Sequence, residues 1–405
     1  MDDRTTTVIV GASVAGIRAA AALRNVDPDR HIILIDGEDE FPYDKPPLSK
    51  AVLTSAVVPS VALPDLDRSD IDHRRATDAV GIVARTSTLA LSDGTIIRYD
   101  SAILATGSAP RRLPMLEGMP GVHYLRTLAD ALALRAALRR RPRVVVIGGG
   151  FIGCEVASSA REYGLEVTIV EAGPRLAARV LPAPVSHMLQ ELHGNHGVVV
   201  RCGAGVREAT YDKTRETIQL GLDDGSTLAA ELVVVGIGTE PSTSWAAGCA
   251  VPIGDGFLCG PDLRVDGADN LYAIGDVSRW LNPRYGRSMR VEHWTNAREH
   301  AAIAAHNITH PDAPRYATAV PFVWSDQHGA RIQHVGDQNL SAVEIHTTRR
   351  PDSGRLFTYF RDGVLVGATA FNAQAALAKI RRQLLGQTRP AIPAATGPKY
   401  ERGRA

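Results

Sequence analysis

Two glycine-rich turns in this chain have the residue types and the spacing that bind dinucleotide phosphates. The first, Gly11-Ala12-Ser13-Val14-Ala15-Gly16, is close to G-x-G-x-x-G and follows the apolar run Thr7–Val10. In such a turn the first glycine permits a tight bend, and the middle position lets the backbone approach a pyrophosphate. The third glycine lets the next helix lie close to the sheet. The N-terminus of that helix then offers N–H groups and partial positive charge to the phosphates.

An acidic residue follows this turn at the distance needed to accept ribose hydroxyls. Asp36 lies twenty residues after Gly16, although Ser13 departs from the expected middle glycine. Because one such motif is weak evidence, an ordinary strand-to-helix turn stays open for it alone. Ala105-Thr106-Gly107 and Gly275-Asp276 each end another apolar run and are expected to contact the same cofactor. For Asp276 taken alone, the alternative is a simple surface turn.

The second turn, Gly148-Gly149-Gly150-Phe151-Ile152-Gly153, satisfies G-x-G-x-x-G in full. Glu171 comes eighteen residues after Gly153. A carboxylate there accepts the ribose 2′-OH and repels a 2′-phosphate, which favours NADH over NADPH. Arg175 lies nearby in sequence and could accept a 2′-phosphate, so the preference is not absolute. Gly238 ends another predicted strand and is expected to pass close to this cofactor.

Both turns sit in the same order of elements: a strand, a glycine turn, a helix and a second strand. This βαβ order predicts a parallel sheet and is duplicated in the chain. The first unit is predicted at Thr7–Val10, Ala15–Arg24 and His31–Ile35, and the second at Val144–Ile147, Cys154–Tyr163 and Glu166–Val170.

The remaining pattern predicts further strands, three more helices and a different C-terminal region. Strands are predicted at Thr95–Tyr99, Ala102–Ala105, Thr217–Leu222, Leu232–Val235, Ala342–Ile345, Leu356–Phe360 and Val364–Val366. Helices are predicted at Leu125–Arg140, Asn296–Asn307 and Ala373–Leu385. The last fifteen residues, rich in Pro, Ala, Gly and Arg, are expected to form a mobile tail.

These elements predict an α/β fold with two Rossmann-type dinucleotide-binding domains and a C-terminal α+β domain. The FAD-binding domain is expected in two parts, residues 1–112 and 245–320, and the NAD-binding domain at 113–244. Residues 321–405 are expected to form the C-terminal domain with its tail.

Composition excludes several classes of protein. The 405 residues carry 45 Lys plus Arg and 44 Asp plus Glu, a balance that argues against a nucleic-acid binder. No apolar run approaches the ~18–20 residues that span a bilayer. The polar start indicates no signal peptide, so we expect a cytoplasmic protein. Four cysteines, at 154, 202, 249 and 259, form no C-x-x-C pair. They predict no metal site and no redox disulfide, and are expected to be free and buried.

Several further motifs carry a family resemblance. The most specific is Pro42-Tyr43-Asp44-Lys45-Pro46-Pro47-Leu48-Ser49-Lys50, joined by Tyr124–Thr127, Glu292–Ala297 and Val323–Gln327. With them the chain resembles, to about Leu385, the FAD-dependent pyridine-nucleotide reductases of glutathione-reductase-like fold. The resemblance is to the ferredoxin reductase group that serves oxygenases. Disulfide reductases of the same fold carry a redox-active cysteine pair in the region of the first motif, and this chain has none there.

The resemblance implies roles for particular residues. Lys50 and Glu155 are implied as a catalytic pair beside the flavin N5, Trp294 and Trp324 border the isoalloxazine, and Arg126 and Asp276 hold FAD. Read without the family, Lys50 could equally be a solvated surface lysine, and the two tryptophans could be core residues. The remaining residues expected to contact the cofactors are Ala15, Gly37, Pro46, Val80, Phe151 and Ile152.

The function implied is an NADH-dependent ferredoxin reductase. A hydride from NADH reduces FAD, and single electrons then pass to an iron–sulfur ferredoxin of the two-iron two-sulfur type, which feeds a monooxygenase or dioxygenase. A rubredoxin reductase cannot be separated by motif. An NADH oxidase or peroxidase commonly uses a cysteine near the flavin, and no cysteine precedes Cys154. A redox-sensing interaction protein related to apoptosis-inducing factor is the non-enzymatic alternative.

Charge is unevenly distributed along the chain. Residues 321–405 carry twelve Lys plus Arg against six Asp plus Glu, a net of +6, which leaves −5 for residues 1–320. Because electron-donor ferredoxins are usually acidic, this predicts a basic docking face in the C-terminal domain, with Arg331 as the best single candidate. A solubilising excess of arginine is the alternative.

Overall fold

A parallel sheet forms around the first glycine turn. The computed structural model describes residues 4–63, 71–337, 339–349 and 354–387, and its elements are numbered in chain order. The strands of the sheet, in spatial order, are β20 (Leu271–Ala273), β7 (Ser101–Leu104), β1 (Thr6–Val10), β2 (His31–Ile35) and β3 (Asp72–Arg74). Helix α1 (Val14–Val26) joins β1 to β2 and packs against α6 (Trp294–Thr309). The apolar runs of the sheet are buried on both faces, as expected where helices cover a parallel sheet.

A second parallel sheet forms around the second glycine turn. Its strands, in spatial order, are β12 (Val198–Cys202), β11 (Val167–Glu171), β10 (Val144–Ile147), β16 (Leu232–Val235) and β9 (Val122–Tyr124). The helices of this unit are α3 (Leu128–Leu138), α4 (Phe151–Glu162) and α5 (Ala183–Asn195), and the short α2 (Ala51–Thr54) packs against α3. Valine and isoleucine dominate the central strands, whose β-branched side chains suit a buried sheet.

The two sheets repeat one plan. In each, the strand before the glycine turn is central and pairs in parallel with the strand after the helix. Gly11 N donates to Ile35 O at 2.8 Å, and Gly148 N donates to Val170 O at the same distance. The predicted duplication is therefore confirmed at the level of individual hydrogen bonds, and both glycine turns open at the carboxyl ends of parallel strands.

Smaller antiparallel sheets are attached to the two units. One follows β3, and another follows β12 in the second unit. They consist of β4 (Ala79–Val83), β5 (Thr88–Leu91) and β6 (Ile96–Arg98), and of β13 (Val206–Asp212), β14 (Thr217–Leu222) and β15 (Thr227–Ala230). A two-stranded ribbon, β8 (Ser108–Pro110) with β17 (Thr239–Pro241), links the two units. The fourth group is a mixed sheet, because β19 and β21 pair in parallel; it consists of β18 (Ile253–Gly254), β19 (Gly256–Cys259), β21 (Ser278–Asn282) and β22 (Arg287–Met289).

The C-terminal region is an antiparallel sheet with one helix on it. Its spatial order is β23 (Phe322–Gln327), β24 (Ala330–Gly336), β27 (Val364–Phe371), β26 (Arg355–Arg361) and β25 (Glu344–Arg349), and α7 (Gln374–Gly386) packs on it. Strand β23 also contacts α4 of the NAD unit. This contact brings the C-terminal sheet to the edge of the second glycine turn. The predicted α/β class with an α+β C-terminal part is confirmed, and the exact domain boundaries stay a prediction.

Two predicted helices begin at other residues than expected. The helix expected from Leu125 starts at Leu128, because Thr127 and Asp130 form a capping box that fixes its first turn. The helix expected from Cys154 starts at Phe151, inside the second glycine motif, because Gly150 with its extended backbone is the N-cap. Helix α5 and strand β12 were not predicted from the sequence.

One predicted strand was misplaced. The strand expected at Ala342–Ile345 lies at Glu344–Arg349, because Ala342 adopts a left-handed φ of 52° in a turn. The predicted mobile tail, the last fifteen residues, lies outside the described residues.

Candidate functional site

The first glycine turn can contain only glycine at two positions. Gly11 has φ 104°, and a Cβ there would lie 2.4 Å from Ala105 O. A Cβ on Gly16 would lie 1.8 Å from Gly11 O, so this glycine lets α1 lie against the turn. Ser13 is the N-cap of α1, and its side chain makes no capping hydrogen bond. The N–H groups of the first helical turn therefore need another acceptor, as at a phosphate site.

The second glycine turn has the same geometry. Gly148 has φ 107°, and a Cβ there would lie 2.3 Å from Gly236 O, while one on Gly153 would lie 2.1 Å from Gly148 O. A Cβ on Gly150 would meet nothing within 4 Å, and this residue lines the adjoining cleft. The open space over Gly150 fits a pyrophosphate approaching the backbone.

An acidic side chain stands beside each turn. Asp36 is buried at the end of β2, and Glu171 ends β11. The two oxygens of Glu171 accept from Gly149 N and Gly173 N, both at 2.6 Å. These bonds fix the carboxylate in the position where a ribose hydroxyl would be bound.

The arginine considered as a 2′-phosphate partner is engaged elsewhere. The Arg175 guanidinium donates to Leu181 O at 2.8 Å and to Ser186 Oγ at 3.2 Å, and the residue does not line the cleft. The cleft is lined instead by Arg179, which lies against Gly238 and which sequence reasoning missed. Glu171 thus lines the cleft, whereas Arg175 does not.

Both turns open onto one cleft of about 1950 Å³. That volume exceeds the ~300–1,000 Å³ of a site for one drug-sized ligand, as two dinucleotides require. The predicted site residues that line it are Gly11, Ser13, Ala15, Asp36, Gly37, Pro46, Lys50, Ala105, Thr106, Gly107, Arg126, Gly148, Gly150, Phe151, Ile152, Glu155, Glu171, Gly238, Gly275, Asp276, Trp294 and Trp324.

Three predicted residues do not line this cleft. Gly16 and Gly153 lie behind it, where they let the helices approach the turns. Val80 was misplaced: the residue is 53% exposed and is the extra, unpaired residue of a bulge between Ala79 and Gly81 in β4. Ala79 lines the cleft in its place.

A lysine and a glutamate from distant segments meet in the centre of the cleft. Lys50 Nζ lies 2.7 Å from Glu155 Oε2, and the Glu155 side chain is only 6% exposed. The Ser49 hydroxyl donates to the same oxygen, and the Ser325 hydroxyl donates to Glu155 Oε1 at 2.5 Å. The buried carboxylate is therefore both paired with a cation and hydrogen-bonded, as a buried charge must be.

The FAD side of the cleft contains a second ion pair. Arg126 Nη2 lies 3.2 Å from Asp276 Oδ2, and Ser108 Oγ donates to the same oxygen at 3.0 Å. Lys45 stands nearby, and its pKa is lowered by burial and by the charge of Arg126. Lys45 lies in the same proline-rich motif as Lys50 but was not among the predicted site residues.

Aromatic rings border the cleft near the C-terminal sheet. Trp294 and Trp324 meet edge to face with centroids 5.8 Å apart. Trp294 Nε1 donates to Asp44 Oδ1 at 2.6 Å, which ties its ring to the proline-rich motif. The structure thus brings together the motifs at residues 42–50, 292–297 and 323–327, which are remote in sequence.

The cysteines do not take part in this site. Among the described residues none of them lines the cleft; Cys154, Cys249 and Cys259 are buried and free, and Cys202 is only partly buried, contrary to expectation. Burial raises the pKa of the Cys154 thiol and raises that of Cys259 to about 12. A thiol held protonated in this way is a poor nucleophile.

Neither a metal-ligand cluster nor a membrane-spanning helix occurs in the described part of the chain. No group of three or more His, Cys, Asp or Glu side chains there is placed to hold a metal ion. Within the same residues, no helix is long and apolar enough to cross a membrane.

Comparison with known proteins assigns the chain to a family. The model of the pyridine nucleotide-disulphide oxidoreductases matches residues 5–301, and that of the reductase C-terminal domain matches residues 322–400. The chain belongs to the pyridine nucleotide-disulphide oxidoreductase family, and FAD and NAD(H) are its cofactors.

Particular relatives narrow the comparison. The ferredoxin–NAD(+) reductase component of the anthranilate 1,2-dioxygenase system of Burkholderia cepacia is 37% identical, over 95% of both chains. Rubredoxin–NAD(+) reductase of Pseudomonas putida is 36% identical, over 81% of this chain and 86% of the relative. The covalent putidaredoxin reductase–putidaredoxin complex contains a similar structure, with a TM-score of 0.87 and 29% identity over 94% of this chain and 93% of the other.

Proposed function

We propose that this protein is an NADH-dependent ferredoxin reductase that supplies electrons to an oxygenase. The observation that carries the proposal is the single cleft, in which both dinucleotide turns open on either side of the Lys50–Glu155 pair. Relatives aligned over nearly the whole chain are reductase components of dioxygenase systems. When bound, FAD supplies the chemistry that converts a two-electron hydride donor into single electrons for an iron–sulfur protein.

The residues of the chain bind and orient the two cofactors. The first turn with Asp36, Arg126 and Asp276 would hold FAD, and the second turn with Glu171 would hold NADH. Lys50 stands between them as a positive charge, where it would stabilise negative charge on the reduced cofactor. Glu155 holds the lysine in place and is itself fixed by two serine hydroxyls.

The acceptor is proposed to be a two-iron two-sulfur ferredoxin. The proposal is supported by the ferredoxin reductase relatives and by the partner in the putidaredoxin complex. An oxidase or peroxidase that uses a cysteine is not favoured, because no described cysteine lines the cleft. Free cysteines together with the absence of a spanning helix among the described residues support a cytoplasmic location.

A rubredoxin reductase is the competing function, since a relative of that name is nearly as similar. The deciding experiment is cytochrome c reduction by NADH, measured with no carrier, with a two-iron two-sulfur ferredoxin and with a rubredoxin. We expect fast reduction only when the ferredoxin is present. Reduction that is faster with rubredoxin, or equally fast without a carrier, would contradict the proposal.

A further inference from the structure

A series of buried, hydrogen-bonded polar side chains leads away from the Lys50–Glu155 pair toward the surface. It consists of Ser325, Gln327, His193 and His328 and is called the polar series below. Beyond Glu155, the hydroxyl of Ser325 accepts from Gln327 Nε2 at 2.8 Å. Gln327 Oε1 lies 2.9 Å from His193 Nε2, and His193 Nδ1 lies 3.0 Å from His328 Nε2. Ser325, Gln327 and His193 are at most 1% exposed, whereas His328 is only half-buried.

The chemistry of these side chains fixes the direction of every hydrogen bond in the polar series. Burial lowers the pKa of His193 to about 4 and that of His328 to about 3, so both rings are neutral near pH 7. An amide oxygen only accepts, so His193 must carry its hydrogen on Nε2. Its Nδ1 is then bare and accepts from the Nε2–H of His328. All the donors therefore point toward Glu155, and bonds aligned in this way polarise one another.

His328, at the outer end of the polar series, is held in an uncommon backbone conformation. His328 has φ 49° and is followed by Gly329 at 73°, in a two-residue hairpin turn that pairs Gln327 with Ala330. A non-glycine residue there costs free energy unless its surroundings hold it, and such residues often mark functional sites. His328 N donates to Ser158 Oγ at 2.7 Å, which pins this turn to α4.

Charged and titratable groups lie near both ends of the polar series. At the inner end Lys50 faces Glu155. At the outer end the ring of His196 stacks on His328 with centroids 4.3 Å apart, and the charge of Arg161 also acts on His328. These neighbours disfavour a positive charge on His328. The ring is therefore neutral, and its single N–H is the donor to His193.

The catalysed reaction releases one proton, and the polar series ends at a carboxylate that could accept it. A hydride is one proton and two electrons; when NADH reduces two one-electron acceptors, the electrons leave with the acceptors and one proton remains. We propose that Ser325, Gln327, His193 and His328 are positioning residues that hold Glu155 as the carboxylate that accepts this proton. The inference rests on the proposed function of the Lys50–Glu155 pair. As the electrons depart, the bond that would hold this proton on the reduced cofactor breaks and an O–H bond forms at Glu155, and the proton later returns to solvent. The Gln327 side-chain amide is not a base and passes no proton along the polar series, so the role of these residues is to orient Glu155.

The first test needs no bound cofactor. Ring ¹⁵N chemical shifts of the histidines in the full-length apoprotein distinguish the two neutral tautomers. At pH 7 we expect both His193 and His328 to carry hydrogen on Nε2, and we expect Gln327→Leu to release His193 from that tautomer. Hydrogen on Nδ1 of His193 in the unaltered protein would overturn the proposal, as would unchanged shifts in Gln327→Leu.

The second test is the pH profile of flavin reoxidation by a one-electron acceptor in the holoenzyme. Gln327→Leu and His328→Asn should raise its inflection by up to about one pH unit, because the Ser325 hydroxyl would donate less strongly to the carboxylate, and a weaker hydrogen bond to a carboxylate raises its proton affinity. Asparagine tolerates the left-handed turn, so His328→Asn keeps the backbone. The exposed His346→Asn is the matched control and should leave the profile unchanged.

The outcomes separate this inference from the proposed function. Suppose that Lys50→Ala slows flavin reduction, while Gln327→Leu and His328→Asn bind FAD and keep the pH profile of the unaltered protein. The inference then fails and the proposed function stands. If Lys50→Ala also has no effect, the role of the pair fails first.

Discussion

The residues that bind dinucleotides could be predicted from the sequence because their chemistry is local. Glycines at fixed spacing and one acidic residue lie within about 25 residues of each other in each unit. The Lys50–Glu155 pair is different, since its members come from separate segments and were implied only by family resemblance. Ser325 and Gln327 lie in the Val323–Gln327 motif, but no local pattern connects them or His193 with Glu155, and only the packing of β23 on α4 and α5 brings them together.

The first prediction at this scale concerns Lys50. Lys50→Ala removes the positive charge at the centre of the cleft, so flavin reduction by NADH should slow or the flavin potential should fall, while FAD stays bound. Stopped-flow bleaching of the flavin absorbance measures the rate. Lys213→Ala, at an exposed lysine far from the cleft, is the control. An unchanged rate and potential would remove Lys50 from the mechanism.

A second prediction concerns the choice between NADH and NADPH. Glu171→Gln with Ala172→Arg replaces the repelling carboxylate by an attracting cation beside the ribose position. The preference for NADH should fall by about ten- to a hundredfold, the scale of one charged hydrogen bond. The ratio of kcat/KM for the two cofactors measures it, with the exposed Glu240→Gln as control. Equal values for the two cofactors in the unaltered protein would contradict the assignment of Glu171.

At the scale of elements, the strongly apolar strands of both parallel sheets could be predicted, and β2, β10 and β16 begin and end at the predicted residues. So does β14 of an attached antiparallel sheet. Short antiparallel strands such as β18 and β22 could not, because they are only two or three residues long and depend on neighbours for pairing. The amphipathic α5 was missed because glycine and histidines interrupt its apolar positions.

A pair of glycine substitutions tests how tightly α1 must approach the sheet. Gly16→Ala would place a Cβ 1.8 Å from Gly11 O, so α1 must shift and the phosphate site is lost. We expect purified Gly16→Ala to bind FAD weakly or not at all, measured by flavin absorbance after reconstitution.

The matched control is Gly194→Ala in α5, where a Cβ meets nothing within 4 Å. That variant should bind FAD normally and unfold at the same or a slightly higher temperature, since alanine favours a helix interior by up to about 1 kcal/mol. Normal FAD binding by Gly16→Ala would show that the close approach is not required.

At the scale of the whole molecule, buried histidines make stability depend on pH. Burial lowers the pKa of His193 and His293 to about 4 and of His300, His328 and His334 to about 3. The unfolded chain binds protons at these groups near their ordinary pKa of about 6.5. The free energy of unfolding should therefore be highest above about pH 6.5 and fall as the pH drops toward about 4. Urea unfolding midpoints at pH 7, 6 and 5 measure this, and a constant midpoint would contradict it.

The charge of the whole molecule bears on docking of the acceptor. The structure pairs Arg331 with Asp326 through two bonds of 2.7 and 3.0 Å, which compensates the charge of the residue first expected to dock. Arg298 is a better candidate, because it is exposed and its guanidinium lies 4.7 Å from the ring of Trp294 at the cleft.

Ferredoxin-dependent turnover should accordingly fall with rising salt, since exposed charges are screened beyond about 8–10 Å at physiological ionic strength. Arg298→Glu should raise the KM for ferredoxin and leave NADH–ferricyanide turnover nearly unchanged. If both activities respond alike to salt, this face is not the docking surface.

The central claim is that one cleft passes electrons from NADH through FAD to a ferredoxin, and single-turnover stopped-flow spectroscopy tests it most directly. The FAD-loaded protein is mixed anaerobically with one equivalent of NADH and excess oxidised two-iron two-sulfur ferredoxin. We predict that the flavin absorbance is bleached first and then recovers while two equivalents of ferredoxin become reduced. A flavin that is bleached by NADH and stays reduced while the ferredoxin remains oxidised would contradict the account.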